Sequence, residues 1–238
     1  MNCKLTGMVF IACAVYLCAQ EPEARIARID GTANVLRADA EEWRLAKAAM
    51  PLNPGDQVYS GKETLVEIKF RKGEIVRLDE ETKLIIVQSD NKKVKSSTPT
   101  GTIWVNMKKI STRGRDFEVS TPTAVAAIRG TVYHMNCAAD SNTTVSVYNG
   151  KVAVGPADAL KKKMESDKKA PEQAPSEVPG PEEIPGPYEV SLSQWKTIVA
   201  GQKISVRNDG RFASESFDMK KVSDEFIGKN LELDRSEE

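Results

Sequence analysis

The chain has 238 residues, with 34 Lys and Arg balanced by 34 Asp and Glu and a mean hydropathy of −0.41. That length holds one sizeable domain with tails or two small ones. Zero net charge excludes a chain-wide basic surface of the kind that neutralises nucleic-acid phosphates, so no nucleic-acid partner is expected.

Met1 to Lys4 is short and positive, Leu5 to Ala19 is apolar or small, and charge rises abruptly at Gln20-Glu21-Pro22-Glu23. This order predicts a secretory signal over residues 1–19, cut after Ala19, with a core too short for an ordinary membrane span. Lipid attachment at Cys13 or Cys18 is the alternative, and Ala12 before Cys13 suits it better than Leu17 before Cys18. Either route predicts a periplasmic or secreted protein. After cleavage at Ala19 only Cys137 remains, so no internal disulfide can form, and a buried, packing thiol is expected.

Residues 20–155 read as one β-domain, since Arg25 to Val154 alternates at period two between turn signals, which predicts half-buried strands. Leu65 to Arg71 places Val66, Ile68 and Phe70 inward and Glu67, Lys69 and Arg71 toward water; Lys72-Gly73 then turns the chain into a partner strand from Glu74 to Leu78. Asp79-Glu80-Glu81 reads as a solvated turn. Lys83 to Gln88 reads as a strand buried on both faces. Ile103, Val105 and Met107 mark another, with Trp104 on its opposite side. Val145 to Tyr148, Asn149-Gly150 and Lys151 to Val154 read as a hairpin with a type I′ turn. Residues 156–187 hold seven of the twelve prolines among charged residues and predict an exposed linker or loop. Residues 188–213 return to strand, with a second hairpin around Asn208-Asp209-Gly210. Residues 214–238 carry Phe226 and Ile227 at helical spacing behind Ser223-Asp224-Glu225, predicting a short terminal helix. The expected fold is therefore all-β, a sandwich, roll or short solenoid of many short strands, with a Pro-rich insertion and a C-terminal helix.

Catalytic side chains are scarce. Beyond the predicted signal there is one His, His134, and one Cys, Cys137; three positions apart on a strand, they point to opposite faces. A zinc site needs three or four such ligands, so no metal and no cofactor is expected. Paired carboxylates of a glycan-acting enzyme stand as a remote alternative. Arg129 admits two readings: a contact for an anion or carboxylate, or a structural guanidinium bonding carbonyls or an acid.

The run Ser120 to Thr131, reading STPTAVAAIRGT, with Tyr133 two positions on, resembles the signature of the FecR-domain family. Trp43 followed by Leu52-Asn53-Pro54-Gly55-Asp56, the strand-Gly-strand step from Phe70 to Leu78, and Val145 to Val154 are similar to further family features in the same order. The resemblance covers Ile26 to Val154. It implies an extracytoplasmic all-β module whose motif residues Gly55, Asp56, Thr121, Pro122, Arg129, Gly130 and Thr131 serve structure. Family members that regulate sigma factors carry a cytoplasmic segment and a membrane span; the short stretch before Ile26 implies a stand-alone exported form instead. The expected function is non-catalytic binding of an envelope protein or polymer, with a role in envelope signalling open. The contact would fall at strand edges or around the TPTAVAAIRGT segment. A self-assembling envelope scaffold is the alternative.

Overall fold

The computed structural model describes residues 22–107, 116–128, 130–157, 195–209, 211–221 and 224–236. In chain order the strands are β1 (Ala24–Asp30), β2 (Ala33–Leu36), β3 (Arg44–Leu45), β4 (Pro51–Leu52), β5 (Gln57–Ser60) and β6 (Leu65–Phe70). There follow β7 (Ile75–Leu78), β8 (Lys83–Ser89), β9 (Lys93–Asn106), β10 (Asp116–Ser120), β11 (Ala124–Ile128) and β12 (Val132–Cys137). The last are β13 (Thr143–Asn149), β14 (Lys151–Pro156), β15 (Lys196–Val199), β16 (Gln202–Val206) and β17 (Phe212–Ser216), followed by the helix α1 (Glu225–Ser236).

Pairing sorts these strands into two layers. Layer A runs β4-β1-β6-β7-β9-β12-β13-β16-β17. Layer B runs β3-β2-β5-β8-β9-β10-β11-β14-β15. Strand β9 belongs to both: Lys93 to Thr100 pairs in layer B and Gly101 to Asn106 in layer A. Among the described strands only β9 and β10 pair in parallel. The inward rows of both layers form one apolar cluster, in which Val66, Ile68, Val105 and Met135 face residues such as Val58, Leu84, Val119 and Val154. Phe70 of layer A meets Phe117 of layer B edge to face at 5.5 Å. The fold is all-β with a terminal helix, as expected, and of the sandwich, roll and solenoid left open it is a two-layer sandwich.

Two local expectations fail. Val145 to Val154 is not a hairpin. Strand β13 pairs with β12 and β16 in layer A, whereas β14 pairs with β11 and β15 in layer B. Asn149-Gly150 is an arch between layers, with positive φ at Gly150 (78°) alone of the two. The Asn-Gly signal marks a tight reversal, and the partners on either side decide whether it closes one sheet or joins two. Strand β8 is also not buried on both faces, since Val87 is 51% exposed: one face of β8 meets the sandwich interior and the other meets solvent. The β6–β7 and β16–β17 hairpins form as expected.

At Gly101 (φ 98°), where β9 changes layer, an added Cβ would lie 2.3 Å from the Thr82 hydroxyl and 2.5 Å from Thr82 Cα. Gly73 has a similar φ of 97° with nothing within 4 Å. Gly73→Ala should therefore cost about 1 kcal/mol from backbone strain alone, and Gly101→Ala about 3 kcal/mol or more. Urea unfolding of the two variants checks this; equal losses would refute the close approach.

Candidate functional site

The outward face of layer A carries a transverse row of side chains set by register. Glu67 sits opposite Arg77, Arg77 opposite Trp104, Trp104 opposite His134, His134 opposite Ser146, Ser146 opposite Lys203 and Lys203 opposite Glu215. Alternation alone directs this row to water. The helix α1 intervenes and covers its first half. Asp224 caps α1 by accepting the Ile227 amide at 3.1 Å. Phe226 and Ile227 then pack with Leu65, Trp104 and Val132 into a second apolar cluster, flanked by half-buried Tyr148 and Leu231.

Arg77 is the centre of this arrangement and is fully buried. Its Nε donates to Glu67 Oε2 at 2.7 Å, and its Nη1 donates to Asp234 Oδ1 at 2.5 Å and Asn230 Oδ1 at 3.3 Å. Asp234 Oδ2 also accepts the Trp104 indole N–H at 2.9 Å. Burial works against the guanidinium charge, but the bonds to Glu67 and Asp234 outweigh it and raise its pKa. Glu67, expected in water, is instead buried and carries a second partner, Lys69 at 3.3 Å. The correction has a plain cause: the terminal helix turns a solvent-facing row into an interior.

His134 lies beneath the same helix, its ring 6.3 Å from that of Phe226. Burial lowers its pKa to about 4, with the Asp224 charge pulling the other way. Cys137 faces the opposite side of β12, its thiol donating to the Pro99 carbonyl at 3.3 Å, and burial raises its pKa. The two side chains do not converge. Beside the N-terminus of α1 an open cleft of about 550 Å³ collects Asp30, Glu63, Asp79, Glu80, Asp224 and Glu225. Burial, then the Asp224, Glu80 and Glu225 charges, raise the Asp79 pKa against a backbone bond at Glu80 that lowers it. Asp79 is thus half-buried within the acidic turn that the sequence assigns to solvent.

The motif residues lie at corners, in separate places. Thr121 is buried at the β10–β11 turn, where its hydroxyl accepts the Ala124 amide at 2.9 Å and meets the Thr143 hydroxyl at 2.8 Å. Pro122 is exposed within that turn. Gly130 (φ 61°) and Thr131 form the corner into β12; the Thr131 hydroxyl donates to the Lys151 carbonyl at 2.8 Å, tying this corner to the Gly150 arch. Gly55 and Asp56 stand elsewhere. The Asp56 carboxylate accepts the Ala38 amide at 3.1 Å, the Asn53 amide at 2.9 Å and Arg37 Nη1 at 2.6 Å. Arg129, Ala19, Cys13, Cys18 and nearly all of residues 156–187 lie outside the described residues. Strand β11 sits between β10 and β14, so the AVAAI stretch offers no free edge.

The fold and its corners define an all-β sandwich module. The family model described as FecR protein matches residues 56–153, from the Asp56 turn into β14. No curated protein matches the chain. Two crystal structures of a candidate anti-sigma factor from Parabacteroides distasonis ATCC 8503, at 1.65 Å and 2.50 Å resolution, are similar at 16% identity and a TM-score of 0.48. Each alignment covers 70% of this chain and 62% of that one, so the chain spans less than two thirds of their length. Among the described residues no helix is long and apolar enough to cross a membrane.

Sequence reasoning misses the Glu67–Arg77–Asp234 link because its partners are 157 positions apart and all three are charged. The available signal is the tail itself, where Phe226, Ile227, Asn230 and Asp234 share one helical face.

Removing one member of a buried charged set leaves the others uncompensated. Arg77→Met should destabilise the protein by about 3 kcal/mol, and Asp234→Asn by about 1–2 kcal/mol because an amide keeps a bond to Arg77. The double variant should lose less than the sum; strict additivity in denaturant titrations would show that the groups act independently. His134, a base with depressed pKa in the folded state, binds protons more readily when unfolded. Its stabilising neutrality is complete above pH 6.5 and is lost as pH falls to about 4, a total near 3 kcal/mol. His134→Leu should remove that component, seen as a flatter stability profile between pH 6.5 and 4 than in the wild-type chain.

Proposed function

We propose that this protein is a non-catalytic binding module working outside the cytoplasm, in envelope signalling, and that it captures an extended segment of another envelope protein by strand addition at β17. The observation that carries this reading is the open edge of layer A. Beyond β17 no described strand pairs, and Ala213, Ser214, Glu215 and Ser216 are all exposed. The Arg207 amide donates to the Arg211 carbonyl and the Phe217 amide to the Gly201 carbonyl. In an antiparallel ladder this phase makes Ala213 and Glu215 bond inward to β16 and leaves the backbone groups of Phe212, Ser214 and Ser216 facing out. Such a row accepts an added strand, with main-chain bonds giving affinity and alternate side chains giving selectivity.

The phase supplies a clean test. Ser214→Pro removes an outward N–H while leaving the β16–β17 ladder intact, so it should preserve stability. Crosslinking in envelope extract should recover a protein partner with the wild-type chain and lose it with Ser214→Pro. Equal capture by both would refute strand addition, and capture of polysaccharide alone would assign the module to a polymer.

A second reading, a glycan-acting hydrolase, is favoured by the carboxylate cleft beside α1, where Asp79 is held toward its protonated form. It requires turnover of envelope glycan by the purified chain that Asp79→Asn abolishes. The binding reading expects no turnover by either.

A further inference from the structure

The face beneath α1 has the composition of a receptor for a helix. Trp104, Leu65 and Val132 make its apolar floor, and Arg77 stands fully buried at its centre with donors directed at the helix. What satisfies it is specific: two adjacent apolar residues, an amide one turn on and a carboxylate a further turn on, as in Phe226, Ile227, Asn230 and Asp234.

The resident helix is a poor competitor for its own site. It has twelve residues, a length at which isolated helices are marginal in water. Gly228 sits inside it, yet a Cβ there would meet nothing within 4 Å, so no packing demand offsets glycine's low helix propensity. Its first turn places Asp224 and Glu225 in the cleft with Asp79, Glu80 and Glu63, where like charges oppose docking; Lys229, the helix cation in the same cleft, answers Asp30 at 3.5 Å. The face also tolerates departure. With α1 gone, Arg77 keeps Glu67 at 2.7 Å and Glu67 keeps Lys69, so the charge centre is not abandoned without a counter-ion.

We infer that the outer face of layer A beneath α1 is a docking groove for an amphipathic helix supplied in trans by a partner protein, and that α1 is the strap occupying it in the free molecule. Charge complementarity sets the partner's chemistry: an apolar pair followed two turns later by a carboxylate that replaces Asp234 on Arg77 and Trp104. This groove is separate from the β17 edge, and neither proposal depends on the other.

The probe is a fluorescent peptide with the sequence of residues 224–236, titrated by anisotropy into the full chain. Phe226→Ala in the full chain weakens the strap while leaving the groove intact. It should bind the peptide at least tenfold more tightly than wild type does, and Asp234→Asn in the full chain, a milder change, should fall between them. A peptide carrying Asp234→Asn should bind at least tenfold more weakly, and Ser214→Pro in the acceptor should change nothing. Absence of peptide binding to both strap variants overturns the proposal, as does equal binding of the two peptides. Hydrogen exchange of the unmodified chain gives a second readout. Amides of α1 should exchange well before those of β9 and β12, and exchange only together with those strands would show that α1 never leaves independently.

Discussion

A fully buried guanidinium must be answered from every side, and Arg77 sets that demand for this molecule. Glu67 answers it from the neighbouring strand, while Asp234 and Asn230 answer it from a helix more than 150 positions away. Apolar burial of Phe226 and Ile227 draws α1 onto the sheet without fixing where it lies. The fork of Arg77, together with the Trp104 indole bonding the same Asp234 carboxylate, fixes its position and register. Desolvation of four polar groups makes this set a modest source of net stability and a strong source of specificity. One family-model stretch, residues 56–153, contains Glu67, Arg77 and Trp104, and the helix that completes their environment lies beyond it.

The sandwich itself rests on different physics. Its corners are held by short, fully satisfied bonds among backbone, threonine hydroxyls and one carboxylate. Thr121 and Thr143 join across layers, Thr131 reaches the Lys151 carbonyl, and Asp56 gathers two amides and Arg37. Groups so saturated have little capacity left for a ligand, which is why motif residues that attract attention in the sequence are poor candidates for a site. The features proposed for binding lie elsewhere, at the β17 edge, which pairs with no further described strand, and beneath α1.

Much of this architecture is legible in the sequence, since period-two alternation depends only on the pleat. The inward rows Val66-Ile68-Phe70 and Tyr133-Met135-Cys137, the turn at Gly73 and the terminal helix all follow from local pattern. Partner choice does not. Asn149-Gly150 reads as a hairpin because the motif reports only a reversal, while β13 and β14 each find other partners, β12 and β16 in one layer and β11 and β15 in the other. Glu67 reads as solvated for the same reason: its alternation phase is right, and the cover over that phase comes from the distant tail. Val87 shows the opposite error, an apolar residue taken as core although its face of β8 has no covering layer.

These two kinds of joint divide the molecule into a rigid part and an adjustable one. Corner bonds are short; those of Thr121 and Thr131 are neutral and enclosed, and those of Asp56 include the Arg37 ion pair. The helix contact contains a buried His held neutral, a carboxylate that bridges two donors, and a cleft of like charges at the first turn of α1. Each of those is sensitive to protonation or to a competing carboxylate, and each lies against α1, outside the apolar cluster between the layers. A domain built this way can change the cover of one face at the cost of a local opening, with the sheet beneath already shaped for what binds next.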